Sequence, residues 1–206
     1  MRWMVRLLVP VILASGLWSC RGRTPELPRL TQQDVVLAFG DSLTYGTGAA
    51  ENESYPAVLG QLIGRKVVRS GVPGEVTAQG LARLPVVLAQ YRPRLLLLCL
   101  GGNDMLRKQD DARIIDNLRA MVREAKESGV AVVLIGVPRP ALLFASAPAF
   151  YADIAAEFDL PYQKDVLPEV LRSAELKSDP IHPNAKGYRK IAEALAQLLR
   201  RAGAVE

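Results

Sequence analysis

Among its 206 residues the chain has one histidine, two cysteines and no apolar run long enough to span a bilayer. Each shortage excludes something. Any step that needs an imidazole falls to His182. Cys20 and Cys99 allow at most one disulfide, and none if Cys20 is modified. The longest apolar run, from about Val5 to Trp18, falls short of the roughly 20 residues that a membrane-crossing helix needs. Internal repeats and low-complexity blocks are missing as well. With 50% hydrophobic and 23% charged residues, the composition is globular rather than disordered, and the length suits one domain with a substantial core. The net charge of +5 is also small. Taking Arg2 and Arg6 from the 26 basic residues leaves 24 against 21 acidic ones, or +3. That excess is too weak and too scattered to argue for a nucleic-acid partner.

What is present begins with targeting. Residues 1–19, "MRWMVRLLVPVILASGLWS", combine a positive start with an apolar run of signal-peptide size. Leu17-Trp18-Ser19-Cys20 resembles the lipobox of bacterial lipoproteins, in which the cysteine becomes the lipidated first residue. Trp18 stands where a small residue is usual. A plain secretory signal and an uncleaved anchor are the competing readings. Arg21 follows the cysteine, where the lipobox resemblance associates Asp with inner-membrane retention. The expectation is therefore export and lipid anchoring through Cys20 to the periplasmic face of the envelope, with the outer membrane favoured. The polar, proline-containing residues 20–33 read as a tether and residues 34–206 as the domain. Cys99, inside "LLLLCL", is expected to act as a small buried hydrophobe.

From Val35 onward, apolar runs alternate with amphipathic stretches. Strands are expected at Val35–Phe39, Val67–Arg69, Leu95–Leu100 and Val130–Gly136, with a weaker one near Leu160–Gln163. Runs apolar on consecutive residues suit a parallel sheet covered on both faces. Helices are expected from Ser54, from Thr77 with a break or kink at Pro85, over the stripe of Ile114, Ile115, Leu118 and Val122, over "PAFYADIAAEFD", and over the C-terminal "NAKGYRKIAEALAQLLRRAG". This alternation predicts an α/β domain with right-handed crossovers. Ligands in such domains sit at the carboxyl ends of the strands.

Four motifs fall at that edge. In "VVLAFGDSLTYGTG", Ser42 follows a buried strand, with glycines nearby for a sharp turn. It is a candidate nucleophile, unless Asp41 or Ser42 only caps the next helix. A phosphate loop fits poorly, because both the Walker lysine and the Gly-x-Gly-x-x-Gly spacing are missing. In "SDPIHPNAKGY", Asp179 lies three residues before His182, a spacing that lets the carboxylate hold Nδ1–H while Nε2 faces a serine. Asp179 could instead serve as a turn residue. In "LCLGGNDMLR", Asn103 offers an amide donor, or else caps a short helix with Asp104. In "RSGVPGEVTAQG", Gly71 or Gly74 would let a backbone N–H approach a substrate; an ordinary glycine turn explains the same residues. Together they supply nucleophile, base, acid and donors for acyl transfer with no metal or organic cofactor.

In this order the motifs resemble the SGNH, or GDSL, hydrolase family, over about Val35 to Leu199. "FGDSLTYGTGA", "GVPGEVTAQGLARLP", "LGGNDMLR" and "DPIHPN" are similar to its first, second, third and fifth blocks. "GLARLP", "YRP" and "LGGND" are closest to its bacterial thioesterase–lysophospholipase–arylesterase branch. The resemblance implies a three-layer α/β/α flavodoxin-like fold with a five-stranded sheet in the order 2-1-3-4-5. It implies Ser42 as nucleophile, His182 as base and Asp179 as its orienter. The oxyanion hole would consist of the Ser42 and Gly74 N–H groups and the Asn103 side chain. Arg69 and Glu75 depart from the asparagine and aspartate common there. The expected partner is a small-molecule acyl ester or lipid, acted on by a monomer. Removal of O-acetyl groups from envelope carbohydrate and a catalytically silent binding module are the alternatives. Leu142, Leu143, Phe144 and Phe150, read as one apolar loop beside the crevice, either bind acyl chains or belong to the core.

Overall fold

The computed structural model describes residues 23–139 and 146–206. The signal segment, Cys20, Leu142, Leu143 and Phe144 lie outside the described residues. Five parallel strands form one sheet in the order β2-β1-β3-β4-β5, as expected. They are β1 (Val35–Gly40), β2 (Lys66–Gly71), β3 (Leu95–Cys99), β4 (Ala131–Ile135) and β5 (Tyr162–Gln163). β1 pairs with the edge strand β2 on one side and the central strand β3 on the other. Leu95 to Leu98 of β3 have no exposed surface. The edge strand β2 is only half-buried, with Lys66 exposed, so its alternation is weaker.

Among the described residues there are eight α-helices. The short α1 (Ser42–Tyr45) and α4 (Gly102–Leu106) stand directly after β1 and β3. The longer ones are α2 (Tyr55–Ile63), α3 (Thr77–Tyr91), α5 (Asp111–Glu127), α6 (Ala149–Glu157), α7 (Val166–Arg172) and α8 (Ala185–Arg201). One helical layer pairs α2 with α8, and the other pairs α3 with α5. The buried stripe of α8, Tyr188, Ile191, Leu195, Leu198 and Leu199, follows the 3.6-residue period of an amphipathic helix. The expected break at Pro85 does not occur, and α3 continues through it. Pro85 is exposed, so the Leu81 carbonyl it leaves without a donor lies toward solvent. Cys99 is buried and free, and burial pushes its thiol pKa well up.

The stretch read as a tether is packed on the domain over its later half. The Leu27 and Leu30 N–H groups donate to the Ala202 and Ala204 carbonyls at 2.8 Å. The Leu30 side chain is buried, and the Arg65 guanidinium holds its carbonyl at 3.1 Å. The two leucines, three residues apart in an otherwise polar stretch, make this segment a strap across the end of α8. Leu30→Ala is expected to lower unfolding stability by about 2–5 kcal/mol, the usual loss for an emptied leucine site in a core. Urea unfolding checks this, and a midpoint within error of the wild type would mean that the strap contributes nothing.

Candidate active site

The nucleophile loop leaves β1 at Gly40, where a Cβ would run into the Cys99 carbonyl and the Thr44 hydroxyl. Asp41 then caps α1, its Oδ1 accepting the Leu43 N–H at 3.0 Å. Ser42 is the first residue of the helix and keeps its hydroxyl clear of the cap. The two roles that compete in the sequence are therefore divided between neighbours. The turn ends at Gly46, whose φ of 94° lies in the left-handed region that glycine enters at least cost.

The candidate base, His182, arrives from the C-terminal part of the chain. Asn184 caps α8 by accepting the Gly187 N–H at 3.1 Å, and its amide donates to the Glu175 and Lys177 carbonyls. In the loop so fixed, Asp179 Oδ1 accepts the Ile181 and His182 N–H groups at 2.9 and 2.8 Å. Its Oδ2 stands 2.7 Å from His182 Nδ1. Burial raises the Asp179 pKa, but the bonds from the His182 ring and from the two backbone N–H groups outweigh it, so the net shift is downward. An ionised carboxylate can only accept. In the neutral imidazole Nδ1 therefore carries the proton, which leaves the Nε2 lone pair toward Ser42 Oγ at 3.0 Å. Asp179 is thus a turn residue and the partner of the imidazole at once.

Two further contacts hold the loops together. The buried Tyr188 of α8 donates its hydroxyl to the Thr47 carbonyl at 2.8 Å. Gly48 lies so close to Ser178 and Pro183 that a Cβ would clash, and its φ of 98° independently disfavours a side chain.

The candidate donors come from the segments that follow β1, β2 and β3. Val72 to Glu75 form a type II turn, with the Glu75 N–H on the Val72 carbonyl at 3.1 Å. Pro73 precedes Gly74, whose φ is 79°, the positions that this turn prefers for those residues. A Cβ on Gly74 would meet only Arg107 at 3.8 Å, so φ rather than space is what requires glycine there. Gly71 is the reverse case, pressed against the Asp41 and Tyr45 backbone. Neither the Ser42 nor the Gly74 N–H has an acceptor among the described residues. The Asn103 amide, in α4, donates to the Glu75 carbonyl at 3.1 Å and to Asp41 Oδ2 at 3.2 Å. Both its hydrogens are therefore aimed by neighbours, and an oxyanion would have to draw one of them away.

Several supporting contacts escaped the sequence reading. Arg83 grips the buried Glu75 carboxylate through two bonds of 2.8 and 2.7 Å, donates to Ser70 and lies over the Phe39 ring. Glu75 therefore has a dedicated cation where the family commonly has aspartate. Arg69 donates to the Tyr45 carbonyl and pairs with Glu51. Arg107 donates to the Gly74 carbonyl at 2.9 Å. Asp104 accepts both the N–H and the hydroxyl of Thr77 at the start of α3, where a carboxylate also suits the helix dipole. Arg69, Glu75 and Asp104 stand out in the sequence, but their partners in this network do not.

Asp41 is the unusual group. Burial, opposed by the Leu43 N–H and reinforced by the nearby Glu75 and Asp104 charges, pushes its pKa up to about 7. Unfolding returns it toward 3.8, so between these values the native chain holds the extra proton. Stability then falls as pH rises from about 4 to about 7, and levels off above. The shift of about three units corresponds to a penalty on the order of 4 kcal/mol at alkaline pH. Asp41→Asn is expected to remove most of the stability difference between pH 5 and pH 8. Urea midpoints at the two pH values test this, and an unchanged difference would place the titration elsewhere.

Ser42, Asn103, Leu106, Val137, Leu171 and Ile181 line a small cleft of about 40 Å³ beside His182. A far larger groove of about 660 Å³, lined partly by Leu160, Tyr162 and Gln197, contains none of the four motifs. Phe150, read from the sequence as part of an apolar loop, is instead on α6 and buried beside Tyr151, with ring centroids 4.6 Å apart. Among the described residues no group of three or more histidine, cysteine or carboxylate side chains could hold a metal ion.

The sequence matches the GDSL-like Lipase/Acylhydrolase family over residues 38–190. The chain belongs to this family. A relative from Escherichia coli K12, named thioesterase 1/protease 1/lysophospholipase L1, is 33% identical over 179 residues, covering 84% of this chain and 86% of that protein. An arylesterase from Vibrio mimicus is 32% identical over 178 residues, 81% of this chain and 88% of its own length. The crystal structure of TesA superposes with a TM-score of 0.72 at 27% identity, covering 82% of this chain and 99% of that one. As a GDSL hydrolase the protein acts on small-molecule carboxylic esters.

Proposed function

We propose that this GDSL hydrolase cleaves acyl or aryl esters, thioesters and lysophospholipid-type esters through an acyl-Ser42 intermediate. His182 Nε2 takes the Ser42 proton as Oγ attacks the carbonyl carbon. Asp179 holds the imidazole in the required tautomer and stabilises the imidazolium that forms. The Ser42 and Gly74 N–H groups and the Asn103 amide hold the tetrahedral oxyanion. His182 then protonates the leaving alcohol or thiol, and water repeats the cycle to release the acid and free serine. The observation that carries this reading is the 3.0 Å approach of Ser42 Oγ to an imidazole whose other nitrogen is 2.7 Å from a carboxylate. The names of the relatives, thioesterase, lysophospholipase and arylesterase, support the substrate range. Labelling of Ser42 by a fluorophosphonate tests the mechanism, and an unlabelled protein would favour a silent binding module.

The small cleft favours a second substrate reading, removal of O-acetyl groups from envelope carbohydrate. Rates on acetyl, octanoyl and palmitoyl p-nitrophenyl esters separate the two, since a collapse beyond two to four carbons rules out lipid substrates. We also propose export and lipid anchoring at Cys20, supported by the signal-like residues 1–19 and the lipobox-like Leu17–Cys20. Cys20→Ser is expected to release the protein from the membrane fraction.

A further inference from the structure

The strap and the catalytic cleft lie at opposite ends of the domain. α8 starts at Ala185, three residues after His182, and ends at Arg201, where the strap is bonded to Ala202 and Ala204. Its 17 residues span about 25 Å at 1.5 Å per residue. β1 repeats the measurement, because the strap leads directly into Val35 and Ser42 lies beyond the far end of the strand. The chain thus enters the domain at the amino-terminal edge of the sheet, and the cleft opens at the carboxyl edge.

The free leash is short. Leu27 is the first residue pinned by a backbone bond to Ala202, and Thr24 and Pro25 already lie along the groove with Leu160 and Arg201. From Cys20, a fully extended chain reaches about 14 Å to Thr24 and about 25 Å to Leu27. For the cleft to touch the anchoring bilayer, the strap end would have to rise the length of α8 above it. Even the more generous reach barely allows that, and only with the leash taut.

The edge where the strap enters is also basic. Exposed Lys66 opens β2, Arg92 caps α3, Arg94 precedes β3, Lys126 is in the last turn of α5, and Arg200 and Arg201 end α8. The strap and its contacts add Arg29 and Arg65, and the acidic groups on the same edge are Glu26, Asp34, Glu127, Asp159 and Glu206. A cationic excess around the anchor point is drawn toward anionic headgroups.

We propose that the domain stands on its anchoring membrane on this basic edge with the cleft turned away, so that its substrates are esters arriving from the aqueous side and not lipids of the anchoring leaflet. This rests on the anchoring and ester-hydrolase readings above. It gives the same orientation whether the N-terminal anchor is a lipid on Cys20 or an uncleaved apolar segment.

The test uses the full lipidated protein in vesicles of mixed zwitterionic and anionic phospholipid. Two probes carry the same p-nitrophenyl ester, one free in water and one joined through its acyl chain to a diacyl phospholipid headgroup in the vesicle. The comparison variant has forty Gly/Ser residues inserted between Gly22 and Arg23, adding a mean reach of roughly 35 Å. Both proteins are expected to hydrolyse the free ester equally, and the extended one to hydrolyse the vesicle-held ester at least tenfold faster. Equal rates on the vesicle-held ester would overturn the proposal. Failure of both proteins on the free ester would instead refute the hydrolase reading, and recovery of the protein in the vesicle-free supernatant would remove the anchoring and this proposal with it.

Discussion

Ser42→Ala is expected to lower kcat on a p-nitrophenyl ester by about 10⁵–10⁶-fold, the scale on which serine triads lose activity. In the proposed mechanism the hydroxyl bonds to the substrate carbon, and the imidazole that would serve as its base stands 3.0 Å away. His182→Ala and the double variant are expected to fall to nearly the same floor, because nucleophile and base act as one unit. Thermal midpoints should move little for Ser42→Ala, since Asp41 and not Ser42 caps α1. A residual rate above one per cent in either single variant would place the nucleophile elsewhere. Additive losses in the double variant would mean that the two residues do not work together.

Asn103→Ala is expected to lower kcat by about 10²–10³-fold with little change in KM, corresponding to about 3–4 kcal/mol of barrier. The amide contributes most once the carbonyl oxygen has become an anion, which is why KM should hold. Asn103 also steadies its own surroundings, bonding the Glu75 carbonyl and Asp41. A purely structural effect would slow substrate binding and lower the unfolding midpoint together. The kcat-against-KM split, read alongside the midpoint, separates these causes. A tenfold rise in KM at unchanged kcat would remove Asn103 from the oxyanion hole.

How much could be read in advance depended on how local the information was. β1, β3 and β4 were legible because each is a consecutive apolar run buried on both faces, and Leu95 to Leu98 are the clearest case. β5, with two residues, gave only a weak signal. α7 was missed, since seven residues with Pro168 in the first turn show too little of a 3.6-residue period to stand out. Proline there costs no intrahelical bond, so the helix forms anyway. Pro85 misled in the other direction because its solvent-facing position cannot be read from one sequence.

The candidate site divides along the same line. Ser42, Asn103, Asp179 and His182 could be named because each sits in a short motif whose spacing implies chemistry. The clasp of Arg83 on Glu75, the Arg107 bond to Gly74 and the Tyr188 bond to Thr47 join separate elements. No local pattern announces such contacts. The strap was hidden similarly, its two leucines meaning little until the C-terminal helix end lay beneath them.

The Tyr188–Thr47 clasp has a consequence for synthesis. Ser42 and His182 are 140 positions apart, and the residues that lock their loops together belong to the first and last parts of the fold. A nascent chain still lacking α8 has its serine but neither the helix that seats the imidazole loop nor the tyrosine that fastens it. On the proposed mechanism the chain is therefore expected to be inert during synthesis and to become reactive only when this helix docks.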